Sequence, residues 1–346
     1  MAAIIEAPTK PNGSNNSHLA GIPLSKMSSN SDNPTGQSEK KKKIGILGLG
    51  SIGSRHLKNF KELGCEVRGY DPRFSGQADV IHWAEAIVIA TPTSHHWRDI
   101  DDTFNYSKPT LVEKPIVSTW PELGNVRIPY IKMVGYNLRF HSCVKKAREW
   151  LGIGAIGKPL WARFTCAQYS DKPHYLRDGV ILNWSHEIDL ALYLLGRARL
   201  ASSHSMAIEG QYEHLSDLIL RHENSSCQTT VHLDYLTQWE RRGFVIVGTD
   251  GSIEADLVSR QAILRDNGGK PTQTHYGRDT FDGNYLAEAR AFLARLDGKE
   301  ADGCTAQEAM EVVRICLEAK DANDSHLPSK NGIDPSSGKG AVPPWD

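Results

Sequence analysis

The sequence predicts an α/β plus α+β protein: a doubly wound parallel sheet comes first, then an open, mainly antiparallel sheet with helices. Three observations carry this. Residues 44–71 read as strand, glycine turn, helix, strand and acid. Short apolar runs follow at 86–90, 110–112 and 131–134, the pattern of parallel strands buried on both faces. Beyond about residue 140, the runs suit antiparallel pairing and are separated by turn signals such as Thr249-Asp250-Gly251.

The first element is the apolar run Ile44–Leu47. It leads into Gly48-Leu49-Gly50-Ser51-Ile52-Gly53 and a helix through Gly64. Gly48 permits the tight turn, Gly50 lets the backbone approach a pyrophosphate, and Gly53 lets helix and strand pack closely. The helix, read from Ser54, offers unpaired N–H groups at its N-terminus to that pyrophosphate, and Ser51 and Ile52 of the turn are cofactor-binding candidates with the glycines. The second strand, Cys65–Tyr70, ends at Asp71, which is placed to bind an adenosine ribose. A carboxylate there repels a 2′-phosphate, so the sequence predicts NAD, with NADP the alternative because Arg73 lies two residues on. This is a Rossmann-type arrangement. Only about fifteen residues separate Asp71 from Ala86, near the minimum for a crossover, so the domain reads as trimmed.

In the second half, Cys143–Leu151 reads as a helix and Leu160–Tyr169 as a strand opened by Gly157-Lys158-Pro159. A helix from about Val180 to Leu195 stops at Gly196. Strands are predicted at 215–220, 229–236, 243–247, 252–257 and 261–265. Helices 284–296 and 305–320 close the fold, the latter opened by a Thr305/Glu308 capping box. The predicted organisation is a disordered arm at 1–40, a dinucleotide-binding domain at 41–138, a substrate and oligomerisation domain at 139–324 and a loose tail at 325–346.

With 346 residues the chain can bury two sizeable cores. Its 40 basic and 41 acidic residues leave a net charge of −1, so no basic surplus points to nucleic acid or an anionic membrane. The six cysteines have no C-x-x-C spacing, and no His/Cys/Asp/Glu set has metal-site spacing. No apolar run reaches membrane-span length, and the N-terminus lacks a signal pattern. These features predict a cytoplasmic protein with a small-molecule partner.

Three segments carry candidate chemistry. Thr91-Pro92-Thr93, with His96, follows the third strand, where ligands bind in doubly wound sheets. Glu113-Lys114-Pro115 ends the fourth, and an ammonium there would stabilise an alkoxide as hydride leaves. Asn183, His186 and Asp189 recur every three residues, so neighbouring pairs share one side of a helix. A lone His on an apolar helix is ordinarily a core residue. Flanked by an amide and a carboxylate, His186 becomes a candidate base. Arg139 sits where the domains join, either as a substrate contact or as a structural ion-pair partner, with Asn137 and Tyr136 nearby. Asp171 to Arg177, including Tyr175, reads as a substrate-contacting loop.

Together these segments resemble the Gfo/Idh/MocA oxidoreductases, NAD(P)-dependent enzymes acting on sugars, inositols and sugar nucleotides. The matching residues are Gly48–Gly53, Thr91-Pro92-Thr93 with His96, Glu113-Lys114-Pro115, residues 135–140, residues 185–190, residues 248–253 and residues 305–309. The resemblance is greatest to a branch associated with amino-sugar and surface-polysaccharide pathways. It implies that Lys114 is the catalytic lysine and His186 the catalytic histidine. The family usually carries an Asp three or four residues before that histidine, whereas this chain has Asn183 and Leu182. An amide cannot accept a proton. Either His186 is the base, with Lys114 stabilising the oxyanion and Asn183 orienting substrate, or the site is weak or inactive.

The expected activity is NAD-dependent hydride transfer to or from a secondary hydroxyl or carbonyl of a sugar, cyclitol or sugar nucleotide. Alternatives are an NAD-binding sensor of the same fold and a redox-neutral elimination or glycoside cleavage. By analogy the resemblance implies a homodimer or homotetramer.

Overall fold

The computed structural model describes residues 41–71, 76–170, 173–208 and 212–324, without side chains at 173–177 and 323–324. The predicted arm at 1–40 and tail at 325–346 lie outside the described residues, as do Arg73 and Asp171. The described residues belong to one compact unit.

The first sheet contains β1 (Lys43–Leu47), β2 (Glu66–Tyr70), β3 (Ala86–Ile89), β4 (Thr110–Glu113) and β5 (Ile131–Gly135). All pairs are parallel, in the order β2-β1-β3-β4-β5. Helices α1 (Ser51–Glu62), α2 (Gln77–Trp83), α3 (Thr93–Asn105) and α4 (Trp120–Asn125) connect them. A single short helix, α2, joins β2 to β3, so the trimmed connection is as predicted. The order reverses beside β1, which puts the topological switch point at the carboxyl ends of β1 and β3.

Both faces of this sheet are covered because successive side chains point opposite ways. Ile44, Ile46 and Val88 join one buried cluster with Phe60 of α1. Leu47, Ile87 and Ile89 join another with Ile81 of α2 and Ile100 of α3. The first cluster is completed from far along the chain by helix α8 (Phe281–Leu296), through Ala289 and Phe292. Thus α8 closes a face of the nucleotide-type sheet that its own short crossovers leave open.

After a 3-10 turn at Asn137–Phe140 come α5 (Ser142–Gly152), β6 (Pro159–Ala167), α6 (Pro173–Asn183) and α7 (His186–Leu195). Then follow β7 (Ala198–Met206), β8 (Leu215–His222), β9 (Gln228–Asp234), β10 (Arg241–Gly248), β11 (Gly251–Asp256), β12 (Gln261–Asp266) and β13 (Pro271–Tyr276). With β6, these strands form an eight-stranded sheet in the order β13-β12-β11-β10-β6-β9-β8-β7. Every pair is antiparallel except β6 with β9. Helix α9 (Ala306–Asp324) ends the described chain. The predicted capping box opens it: the Thr305 amide donates to Glu308 Oε2 at 2.8 Å, and the Glu308 amide donates to Thr305 Oγ1 at 3.2 Å.

The structure departs from expectation at strands β7 and β13, where none was predicted, at residues 173–177, which are helical rather than loop, and in the helix that carries His186. The single helix predicted from Val180 to Leu195 is two helices, broken at Trp184-Ser185. The Glu187 amide bonds to Trp184 O rather than reaching back to Asn183, and the next bond runs from Asp189 N to Ser185 O. Gly179, at φ 76° and ψ 166°, adds a second irregularity within α6. Asn183 ends α6 at this break.

Candidate active site

The glycine turn has the geometry its residues dictate. Gly48 sits at φ +90°, where a Cβ would come within 2.6 Å of Ala90 O. A Cβ on Gly53 would lie 1.8 Å from Gly48 O. At Gly50 a Cβ would meet nothing within 4 Å. The first and last glycines are therefore demanded by the fold, while Gly50 lines open space in front of α1. Gly50 is also the N-cap of α1 and supplies no side-chain acceptor, so the first amides of the helix have no side-chain cap. This cradle fits a dinucleotide pyrophosphate. Ser51 and Ile52 stand in the first turn, Ser51 exposed. The Gly48 amide donates to Tyr70 O at 2.8 Å, which keeps the end of β2, and hence Asp71, beside the turn.

The Thr91 loop follows β3. Thr91 Oγ1 donates to Asp99 Oδ2 at 2.5 Å, and Pro92 caps α3 without a side-chain acceptor. Pro92 is exposed and Thr93 partly so. His96 is buried, and its ring nitrogens sit 2.9 Å from the carbonyls of Pro115 and Thr91. It therefore ties this loop to the Lys114–Pro115 turn, whose peptide is cis.

Lys114 leaves the carboxyl end of β4 and donates from Nζ to the Asn183 carbonyl at 2.7 Å. That carbonyl stands at the break between α6 and α7. Burial lowers the pKa of Lys114, opposed by Glu113 and reinforced by Arg242. His186 opens α7. It is buried, its Nδ1 has no hydrogen-bond partner, and its ring meets Tyr136 edge-on at 5.5 Å. Burial, then the charges of Lys114 and Arg242, push its pKa well below the ordinary value, so the imidazole is neutral at physiological pH. Lys114, Asn183 and His186 are thus brought together at the junction of the two sheets.

Other candidates fall differently. Arg139 is buried and bidentate to Asp189, at 3.0 Å from Nε to Oδ2 and 2.6 Å from Nη2 to Oδ1. Its Nη1 donates to Gly303 O and Glu308. Of the two roles open in the sequence, the ion pair is the one it fills. Asn137 is buried with its amide nitrogen unpartnered. The Glu113 carboxylate meets His56 at 2.7 Å. Tyr175 lies in α6, and its side chain is outside the described residues.

Sequence reasoning missed Arg242. It grips Glu187, the residue after His186, through Nε–Oε1 at 2.8 Å and Nη2–Oε2 at 3.1 Å. Its strand held the signal: Arg242, Phe244 and Ile246 alternate, so strand parity turns Arg242 inward with two core residues.

Residues 144–254 match the GFO/IDH/MocA C-terminal domain. Residues 19–101 match the NAD binding domain of D-isomer specific 2-hydroxyacid dehydrogenases. The chain is 27% identical over 188 residues to scyllo-inositol 2-dehydrogenase (NAD(+)) of Bacillus subtilis, spanning 46% of this chain and 55% of that protein. It is 21% identical over 317 residues to Myo-inositol 2-dehydrogenase of Thermotoga maritima, spanning 80% of this chain and 95% of that protein. UDP-N-acetylglucosamine 3-dehydrogenase GnnA from Acidithiobacillus ferrooxidans shares the fold, with a TM-score of 0.69 at 17% identity over 84% of this chain and 100% of that one. Among the described residues, no helix is long and apolar enough to cross a membrane. With its glycine turn, its Glu-Lys-Pro step and its paired parallel and antiparallel sheets, the chain is similar to the GFO/IDH/MocA oxidoreductases, whose C-terminal domain its residues 144–254 match.

Proposed function

We propose that the protein is an NAD-dependent oxidoreductase acting on CH–OH groups, exchanging hydride with a secondary alcohol of a sugar, cyclitol or sugar nucleotide. One observation carries the reading. The Lys114 ammonium is docked on the Asn183 carbonyl, three residues before a neutral, buried His186. When bound, NAD supplies the hydride acceptor. The chain's residues handle the oxygen and its proton. Neutral His186 takes the hydroxyl proton, and Lys114 stabilises the oxygen as negative charge develops. Asn183 holds the Lys114 ammonium through its carbonyl and orients substrate. Arg242 and Glu187 neutralise one another beside the site and keep the N-terminus of α7 in place. Asp71 at the end of β2 favours NAD over NADP. By analogy, two or four copies associate through the outer face of the eight-stranded sheet, where Trp161 is exposed.

The test is a panel of sugars, cyclitols and sugar nucleotides, followed by NADH absorbance with both cofactors. Turnover with one class, faster with NAD than with NADP, is expected. NAD binding with no turnover anywhere on the panel would favour the sensor, in which Asn183 replaces a needed acid. Substrate conversion without NADH accumulation would favour redox-neutral chemistry.

A further inference from the structure

Beside the Lys114 turn lies a second polar cluster. Glu288 of α8 is fully buried, and neither carboxylate oxygen has a hydrogen-bond partner. Polar atoms of Glu288, Glu113 and His56 lie within 4.8 Å of one another. Glu113 already accepts from His56 Nε2 at 2.7 Å and from the Lys114 amide at 3.3 Å. With Nε2 donating, His56 Nδ1 is a lone-pair acceptor, and it too is buried without a partner. The cluster therefore holds four carboxylate oxygens and one imidazole lone pair, but a single side-chain N–H. It is short of a donor.

The charged and titratable groups around it are committed elsewhere. From α1, Arg55 pairs with Asp282 at 2.8 Å and lies over the rings of Phe281 and Tyr285. From α8, Tyr285 packs edge-on against His56. From β10, Arg242 is held by Glu187. The 3-10 turn beneath α8 contributes Arg139, which is bound to Asp189 and Glu308. Burial, then the charge of Glu113, pushes the pKa of Glu288 well above the ordinary value. Two carboxylates in such a site do not both ionise.

We propose that Glu288 is a positioning residue that works as the neutral carboxylic acid. Its O–H supplies the missing donor. Glu113 then stays fixed to His56 of the nucleotide-binding helix, and with it the Glu113–Lys114 backbone that aims the ammonium into the cleft. Gly135 fits this arrangement, since a Cβ there would come within 2.9 Å of the Glu113 carboxyl. The positioning half rests on the role given to Lys114 above; the protonation half does not.

Thermal unfolding of the full chain against pH tests the protonation alone. The folded pKa of Glu288 stands above its unfolded value, owing to burial and then to Glu113. Its stabilising contribution is therefore complete below the unfolded pKa and is lost as pH rises through the folded one. Glu288→Gln cannot ionise. The Tm of the variant relative to the parent should rise by about 3 °C or more between roughly pH 6 and pH 9. A gap that does not change with pH overturns the proposal. So does a stoichiometric metal ion in the purified parent that is absent from Glu288→Gln, because a bound cation requires the carboxylate. For positioning, Glu288→Ala should lower kcat about tenfold with KM for NAD unchanged. Glu288→Gln should restore kcat and move the alkaline limb of its pH profile upward. An unmoved limb overturns that half. If no substrate turns over at all, the unfolding measurement still decides the protonation.

Discussion

The Lys114 ammonium rests 2.7 Å from the carbonyl oxygen of Asn183, and this contact joins the end of β4 to the break between α6 and α7. The Glu187 amide turns to Trp184 O, and the Asn183 carbonyl stands at the end of α6, where the helix dipole favours a cation. The same break places His186 in the first turn of α7. Lysine and histidine therefore converge through a local failure of helical hydrogen bonding.

Replacing Lys114 by Met keeps the length of the stem and removes the charge. Turnover should fall about 1,000-fold, since oxyanion stabilisation and proton handling are both affected. NAD affinity, read by fluorescence titration, should change less than about threefold, because the glycine cradle is separate from this side chain. Unchanged turnover would remove Lys114 from the chemistry.

His186 gives a pH prediction with a definite sign. Its pKa lies below the ordinary 6.5 because of burial and the charges of Lys114 and Arg242. A base must be unprotonated, so the acid limb of kcat/KM should lie below pH 6.5. In Lys114→Met one of those charges is gone, and the imidazole should titrate at higher pH. Proton NMR of its ring follows this without requiring activity. A titration that stays put or moves down would contradict the electrostatic coupling.

Much of this was legible in the sequence because the period-2 and glycine signals are local. Gly48, Gly50 and Gly53 announced the cradle, and Thr305 with Glu308 announced the cap of α9. The break at Trp184-Ser185 was not legible. Residues 180–195 are apolar enough to read as one helix, and what breaks them is tertiary: Tyr136 donates to Ser185 Oγ at 3.3 Å from another element. The roles of Arg139 and Glu113 were hidden for a related reason. Their partners Asp189 and His56 lie 50 and 57 residues away in the chain. Motif reading shows that such residues matter without showing which way they point.

The three glycines of the turn should separate fold from function. Gly53→Ala forces a Cβ to 1.8 Å from Gly48 O, so it should destabilise the domain and abolish NAD binding together. Gly50→Ala meets no protein atom within 4 Å, so its Tm should match the parent. Its NAD affinity should still fall about tenfold or more, because the new methyl occupies the space the pyrophosphate approaches. Differential scanning fluorimetry with and without NAD reads both quantities. A stable Gly50→Ala protein with parental NAD affinity would show that the cofactor phosphates lie elsewhere.

Arg139 offers the sharpest separation between a structural and a substrate-binding role. It is buried, bidentate to a fully buried Asp189, and further held by Gly303 O and Glu308. Removing one member of a buried pair strands the other, at a cost of about 3–5 kcal/mol. Arg139→Met should therefore lose about that much stability in urea unfolding. Asp189→Asn should lose stability too, although the amide retains a hydrogen-bonding oxygen. The double variant Arg139→Met/Asp189→Leu should recover part of the loss, since no charge is left stranded. A direct substrate contact gives a different pattern: KM rises steeply in Arg139→Met, stability hardly moves, and the double variant recovers nothing. The geometry favours the first pattern, because three sets of protein acceptors already occupy the guanidinium.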